Sequence, residues 1–212
     1  MQLYNYFRSS ASYRVRIALA LKGLDYEYLP VHLVRNEQLG EAYRALSAAQ
    51  LVPVLKDGDQ VLTQSLAIIE YLDETHPEPA LLPGDALARA RIRALAQDVA
   101  CEIHPINNLR VLCYLVHELK VAEDDKNRWY RHWVESGLEA VERQLSHDPA
   151  TGRFCHGDSP TLADCVLVPQ IHNAQRFNCR LDHVPTVMRV FDACMALDAF
   201  SKTQPSACPD AV

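Results

Sequence analysis

Within the first thirty-odd residues the apolar pattern changes period twice. Leu3 to Phe7 reads as a strand. Val15, Ala18 and Leu19 then recur at i, i+3, i+4, Ile17 and Leu21 widen the same helical face, and Gly23 stops it before Leu29, Val31 and Leu33 alternate again. A strand, helix and strand joined this tightly favour a parallel pair with a right-handed crossover. Glu37 to Leu46 gives a second, weaker helical stretch. Val52-Pro53-Val54-Leu55, the turn Asp57-Gly58-Asp59 and Val61-Leu62-Thr63 read as a hairpin. Gln64-Ser65 then opens the apolar helix Leu66 to Leu72, with Ser65 as its cap.

The order βαβ followed by αββα is the thioredoxin-like arrangement. An oxidoreductase of that topology carries a nucleophilic thiol where its first helix begins. Here that position reads Ser9-Ser10-Ala11-Ser12, and none of the seven cysteines, at 101, 113, 155, 165, 179, 194 and 208, lies in the first hundred residues. Serines at such a junction serve as ordinary N-caps. A helix start is also an anion site, because its first N–H groups lack intrahelical partners and the positive end of the dipole faces outward. If this half does sulfur chemistry, a ligand must bring the sulfur, and glutathione is the obvious small thiol.

From His76 to Asp85 the chain turns to Pro77, Pro79, Pro83 and Gly84, a linker composition. Beyond it everything reads helical. Ile92, Leu95, Ala96, Val99 and Ile103 form one stripe that Leu109, Leu112, Val116 and Leu119 continue past a bend at Pro105. Trp129, Trp133, Val141 and Leu145 mark another helix and read as packing residues. Thr161 and Asp164 form a capping-box variant at the start of a helix running toward Arg176, and Pro185 opens a last one. The expected division is a sheet domain over 1–76, a linker over 77–85 and an all-helical domain over 86–212.

Composition narrows the function classes. A hydrophobic fraction of 49% with 23% charged residues is ordinary for a globular chain, and a net charge of −6 argues against a nucleic-acid surface. An anionic ligand therefore needs a local basic pocket. An odd cysteine count without a C-x-x-C pair fits reduced, mostly buried thiols and neither a zinc site nor a disulfide framework, so no metal is expected. No signal peptide or long apolar span is legible, which makes the expected location cytoplasmic and the expected partners non-membrane.

The run Ser9-Ser10-Ala11-Ser12-Tyr13-Arg14-Val15-Arg16-Ile17-Ala18-Leu19 resembles the motif S-S-C-x-x-R-V-R-I-A-L of the zeta class of glutathione transferases, the family of maleylacetoacetate and maleylpyruvate isomerases. Gln64-Ser65-Leu66-Ala67-Ile68-Ile69-Glu70-Tyr71-Leu72 is similar to the second long signature of that class, and the resemblance covers essentially the whole chain. Two positions depart from it. Ala11 stands where the motif has cysteine, which makes serine and the bound cofactor sufficient if activity survives, and His104 stands where relatives often carry glutamine.

The resemblance implies an α/β thioredoxin-like N-terminal domain followed by an all-α C-terminal domain, a homodimer, and glutathione as cofactor. By resemblance Ser9 hydrogen-bonds the glutathione sulfur, with Ser10 and the Ala11 backbone completing the anion site. Val52, before a cis Pro53, pairs with the cysteinyl unit. Gln64 and Ser65 take the γ-glutamyl carboxylate, and Gln38, His104, Asn108 and Arg110 are further cofactor ligands. Arg8, Arg110 and Arg176 would hold a small dianionic maleyl-oxo acid. The implied reaction is cis–trans isomerisation by thiolate addition, bond rotation and elimination. Maleylpyruvate is preferred as substrate because of the extra basic residues His104 and Arg110, with maleylacetoacetate as the alternative. Conjugation or dehalogenation of small α-halo acids is a second reading of the same pocket. A non-catalytic interaction module is the third, against which the intact Ser9-Ser10 and Gln64-Ser65 argue.

Overall fold

The computed structural model describes residues 1–211. The chain divides into two compact units, one made of Met1–Leu82 with the segment from Met195 onward, the other of Pro83–Cys194. In the first, β1 (Gln2–Asn5), α1 (Ser10–Leu21) and β2 (Glu27–Pro30) form the expected strand–helix–strand unit, with β1 and β2 parallel and Leu3 opposite Tyr28. Next come α2 (Glu41–Leu46), β3 (Val54–Asp57), β4 (Gln60–Thr63) and α3 (Ser65–Thr75). The sheet order is β2-β1-β3-β4, with β3 antiparallel to both its neighbours. Leu3 and Leu55, paired across β1 and β3, are fully buried, as are Val15, Ile17, Ala18 and Leu19 of α1 and Ile68, Ile69 and Leu72 of α3. Burying each such side chain stabilises the unit by about 1.5–3 kcal/mol before chain entropy is charged against it.

Several boundaries differ from the sequence reading, each for a local reason. The stretch 37–46 breaks at Gly40 into a 3-10 turn, Glu37–Leu39, and α2. Ser65 is the first residue of α3 and not its cap; Gln64 is the N-cap residue and makes no side-chain capping bond. Residues 77–82, read as linker, belong to the first unit. The Lys22 ammonium at the end of α1 donates to Asp73 at 2.8 Å, His76 O at 2.7 Å and Pro79 O at 2.9 Å, while Asp73 also accepts from the Leu81 and Leu82 N–H groups. Residues from 195 onward, read as helical domain, also belong there. Tyr13 Oη donates to Phe200 O at 2.8 Å and Arg16 Nε to Thr203 O at 3.0 Å, tying the short helix Asp198–Ser201 and the chain at Thr203 to α1.

The second unit is helical throughout: α4 (Ala86–Gln97), α5 (Leu109–His117), α6 (Glu123–His147), α7 (Leu162–Arg176) and α8 (Pro185–Met195). The break between α4 and α5 begins earlier than Pro105. A π-helical segment, Asp98–Ile103, precedes the 3-10 turn Pro105–Asn107. Ile103 packs so close to Gly137 of α6 that a Cβ there would lie 2.4 Å from Ile103 Cγ1. Trp129 and Trp133 are not core residues. They are 37% and 38% exposed, meet edge to face at 5.7 Å, and Trp129 Nε1 donates to Ile106 O at 3.2 Å. Among the described residues no helix is long and apolar enough to cross a membrane.

The capping box at Thr161 is present as read. The fully buried Asp164 carboxylate accepts from Thr161 N–H at 2.7 Å, Thr161 Oγ1 at 2.8 Å and Cys155 N–H at 2.8 Å. Burial pushes its pKa up, against the pull of those bonds. In Asp164→Ala two buried N–H groups lose their acceptor, at roughly 1–3 kcal/mol each. The variant is expected to lose roughly 2–6 kcal/mol in urea unfolding, and a wild-type midpoint would show that the box contributes nothing.

Candidate active site

The first helix starts where the sequence set it. Ser9 has extended backbone angles (φ −69°, ψ 117°), its N–H donates to Tyr6 O at 2.9 Å, and its Oγ accepts from Ser12 N–H at 3.2 Å. The capping role and the expected site role therefore fall on one hydroxyl, which accepts from the helix and has its own hydrogen to donate. Ala11 N–H has no hydrogen-bond partner among the described residues. Ser10 is buried, Ser9 half-buried and Arg8 exposed, with the Arg8 guanidinium 4.9 Å from the centre of the Phe7 ring. That cation–π contact holds a long side chain beside the helix start.

The other expected residues of the sheet unit lie in the loop before β3, at the start of α3 and in the turn before α2. Val52-Pro53 is cis, and Val52 lies outside the ladder, which begins at Val54. Tyr43 Oη and Ser47 Oγ both donate to Leu51 O, at 2.8 and 3.2 Å, holding the approach to Val52. Gln64 has a positive φ of 70° immediately before α3. A non-glycine residue in that conformation costs about 1–3 kcal/mol and is characteristic of functional sites. The Gln38 side-chain carbonyl oxygen is buried and has no partner among the described residues, so a ligand N–H there would satisfy it.

The remaining expected residues lie in the helical unit. His104 follows the π-helical segment, and its N–H donates to Val99 O. Asn108 caps α5 by accepting from Arg110 N–H at 3.1 Å, which leaves its amide N–H groups for a ligand; Arg110 is exposed in the first turn. Arg176 ends α7 with its guanidinium 4.8 Å from the Phe177 ring centre, and Phe177 stacks on Tyr130 at 3.7 Å. Arg8 and Arg176 are thus braced alike, each over the phenylalanine next to it. Arg110 has no such brace among the described residues.

Sequence reasoning missed the residues behind the site. Arg14 and Arg16 of α1 are 2% and 1% exposed. Arg14 Nη1 donates to Ser65 Oγ at 3.2 Å. Arg16 Nη1 reaches Asn5 Oδ1 at 2.9 Å and its Nη2 reaches Phe7 O at 3.1 Å. Charged residues inside an otherwise apolar helical face were the available signal. The cysteines offer no activated thiol in the described core. Burial pushes Cys155, Cys194 and Cys208 up and Cys179 to about 11, and no disulfide joins any of the seven.

A thioredoxin-like sheet whose first helix starts at a serine cap and lacks a thiol there, in a chain that continues as a helical unit, is the arrangement of a protein that works with a borrowed small-molecule thiol. The chain belongs to the zeta class of the glutathione S-transferase family. Residues 3–80 match the family model for the glutathione S-transferase N-terminal domain and residues 127–197 that for the C-terminal domain. Maleylpyruvate isomerase from Ralstonia sp. is 52% identical over 99% of both chains. The holo structure of a bacterial zeta-class maleylpyruvate isomerase, also 52% identical, superposes with a TM-score of 0.98 over the full length of both chains. Maleylacetoacetate isomerase from Anaeromyxobacter dehalogenans, with dicarboxyethyl glutathione and citrate bound in its active site, is 46% identical with a TM-score of 0.88, covering 100% of this chain and 97% of that one.

Ser65→Ala takes one acceptor from the buried Arg14 guanidinium. A hydrogen bond to a charged group is worth about 1.5–3 kcal/mol, so urea unfolding should register a loss of that order in the ligand-free protein. A stability equal to wild type would remove Ser65 from the framework of α1 and α3.

Proposed function

We propose that this chain is a glutathione-dependent cis–trans isomerase that converts maleylpyruvate to fumarylpyruvate in the breakdown of aromatic compounds. The observation that carries the reading is the capped helix start at Ser9, in a hundred-residue stretch without a cysteine. Full-length similarity to the Ralstonia maleylpyruvate isomerase supports the same assignment.

Bound glutathione supplies a thiolate that adds to the cis double bond conjugated with the substrate ketone, so that this bond rotates as a single bond before the thiol leaves. Ser9 donates its hydroxyl hydrogen to that sulfur, and the N–H at Ala11 together with the α1 dipole adds to the stabilisation. These contributions, about 1.5–3 and 0.3–1 kcal/mol, lower a thiol pKa by roughly one to three units at about 1.4 kcal/mol per unit. Val52 presents backbone to the cysteinyl unit, Gln38 accepts from the tripeptide, and Gln64 and Ser65 at the start of α3 take the γ-glutamyl carboxylate. His104, Asn108 and Arg110 are the cofactor ligands assigned to the helical unit. Ser10, buried beside Ser9, completes the helix start.

Arg8, Arg110 and Arg176 are assigned to the substrate, whose two carboxylates suit guanidinium forks. Binding by the Anaeromyxobacter relative of a glutathione adduct whose dicarboxyethyl group adds two carboxylates supports a dianionic substrate. That relative is a maleylacetoacetate isomerase, so maleylacetoacetate is the second reading. Side-by-side turnover of the two acids, each with and without glutathione, separates them. The seven free cysteines support a reducing, cytoplasmic compartment. A homodimer follows from the family resemblance and is checked by light scattering.

Ser9→Ala is expected to lower kcat/KM by roughly 10- to 150-fold and to move the acid limb of the pH–rate profile upward, because the thiol then needs a higher pH to ionise. Arg176→Ala is expected to raise the KM for the dianion by a similar factor with a smaller effect on kcat. Turnover of equal rate without glutathione would reject the mechanism, and unchanged kinetics in both variants would reject the residue assignments.

A further inference from the structure

The turn between β1 and α1 carries Arg8 and Ser9, and nearly every backbone group leading into it is tied down. Tyr6 N–H donates to Ser12 Oγ at 3.5 Å, Tyr6 O accepts from Ser9 N–H, and Phe7 O accepts from Arg16 Nη2. Those ties all come from α1 and the turn itself. The tie on Phe7 N–H comes from a residue 203 positions away: Asp210 Oδ2 accepts it at 3.4 Å, while Asp210 Oδ1 accepts from Tyr28 Oη of β2.

The segment around Asp210 is itself anchored. Arg16 Nε holds Thr203 O, Cys208 Sγ donates to Gln204 O at 3.5 Å, and Ala211 N–H donates to Cys208 O. Cys208 and Ala211 join Tyr6, Phe7, Tyr43 and Val52 in one apolar cluster. Phe7 immediately precedes Arg8, and Val52 immediately precedes the cis proline. One short segment thus underlies both stretches of backbone assigned to the cofactor.

We propose that Asp210 is a positioning residue for the glutathione site, bracing the Phe7–Ser9 turn through Phe7 N–H while Tyr28 fixes its carboxylate. The proposal rests on the reading of Ser9 as the sulfur-binding residue. Asp210 acts through the backbone and contacts neither cofactor nor substrate in this assignment. Loss of the brace lets the Ser9 hydroxyl drift from the sulfur, and misplacement of a catalytic group weakens an interaction that depends on distance and angle.

The test compares D210A, D210N and Y28F in the full-length protein. D210A removes both acceptors. It is expected to raise the glutathione KM about tenfold, equivalent to ~1.4 kcal/mol, and to shift the thiol pKa upward, read from the ultraviolet absorbance of bound thiolate against pH. D210N keeps both contacts, since its carbonyl accepts from Phe7 N–H and its amide donates to Tyr28 Oη, so it is expected to restore the KM to within about twofold of wild type. Y28F leaves the Phe7 acceptor in place but frees the carboxylate that Tyr28 fixes, so it is expected to raise the glutathione KM and the thiol pKa, each by less than D210A does. A D210A protein with wild-type glutathione KM and thiol pKa overturns the brace while leaving the Ser9 reading intact. Equal impairment of D210A and D210N overturns it too, as does a D210A chain that cannot fold, because only the turn is assigned to this carboxylate. Absence of thiolate absorbance in the wild type overturns the Ser9 reading and the brace with it.

Discussion

A positive charge sits almost fully inside the sheet unit, and the cofactor side of that unit depends on how it is satisfied. The Arg16 guanidinium is 1% exposed and forms no ion pair among the described residues. It donates instead to neutral oxygens, those of Asn5, Tyr6, Phe7 and Thr203. An uncompensated buried charge is expensive, so the geometry holds only while those acceptors remain converged on it. Strand β1, the turn before Ser9 and the segment at Thr203 are therefore locked to one side chain of α1, and the same helix begins at the proposed sulfur-binding hydroxyl. Framework and chemistry share an element.

The first half of the fold was legible because its signals are local. Val15, Ala18 and Leu19 mark a helix face from within one turn, Gly23 ends it, and the Ser9 cap forms inside four residues. The Thr161–Asp164 box is equally short in range. Errors arose where the deciding contact lies far away in sequence. Nothing near Pro79 reveals that Lys22 will donate to its carbonyl, and nothing near Phe200 reveals that Tyr13 will. Both segments were assigned to the wrong part of the chain. Helical spacing put Trp129 and Trp133 on one face but carried no information about whether anything covers that face.

The site divides along the same line. The local features expected at the candidate site, the cap at Ser9, the cis step at Val52-Pro53 and the helix start at Gln64-Ser65, occupy contiguous motifs and are legible as such. The residues behind them, Arg14, Arg16 and Asp210, were not, because each acts through a partner that only the folded chain supplies. Gln64 also shows a limit of pattern reading. Its identity suggests a polar ligand, whereas its positive φ at the entry to α3 shows only in the folded chain.

The π-helical segment before His104 has a consequence for how this scaffold varies. One extra residue is accommodated in the helix there, which turns Ile103 into the groove of α6 at the single point where Gly137 leaves room for it. A widened turn on one helix and a missing methyl on another are thus two halves of one steric agreement. Substituting the glycine alone drives a side chain into isoleucine, and straightening the turn alone empties the notch. In this chain a larger residue at 137 is accommodated only if residue 103 gives way with it.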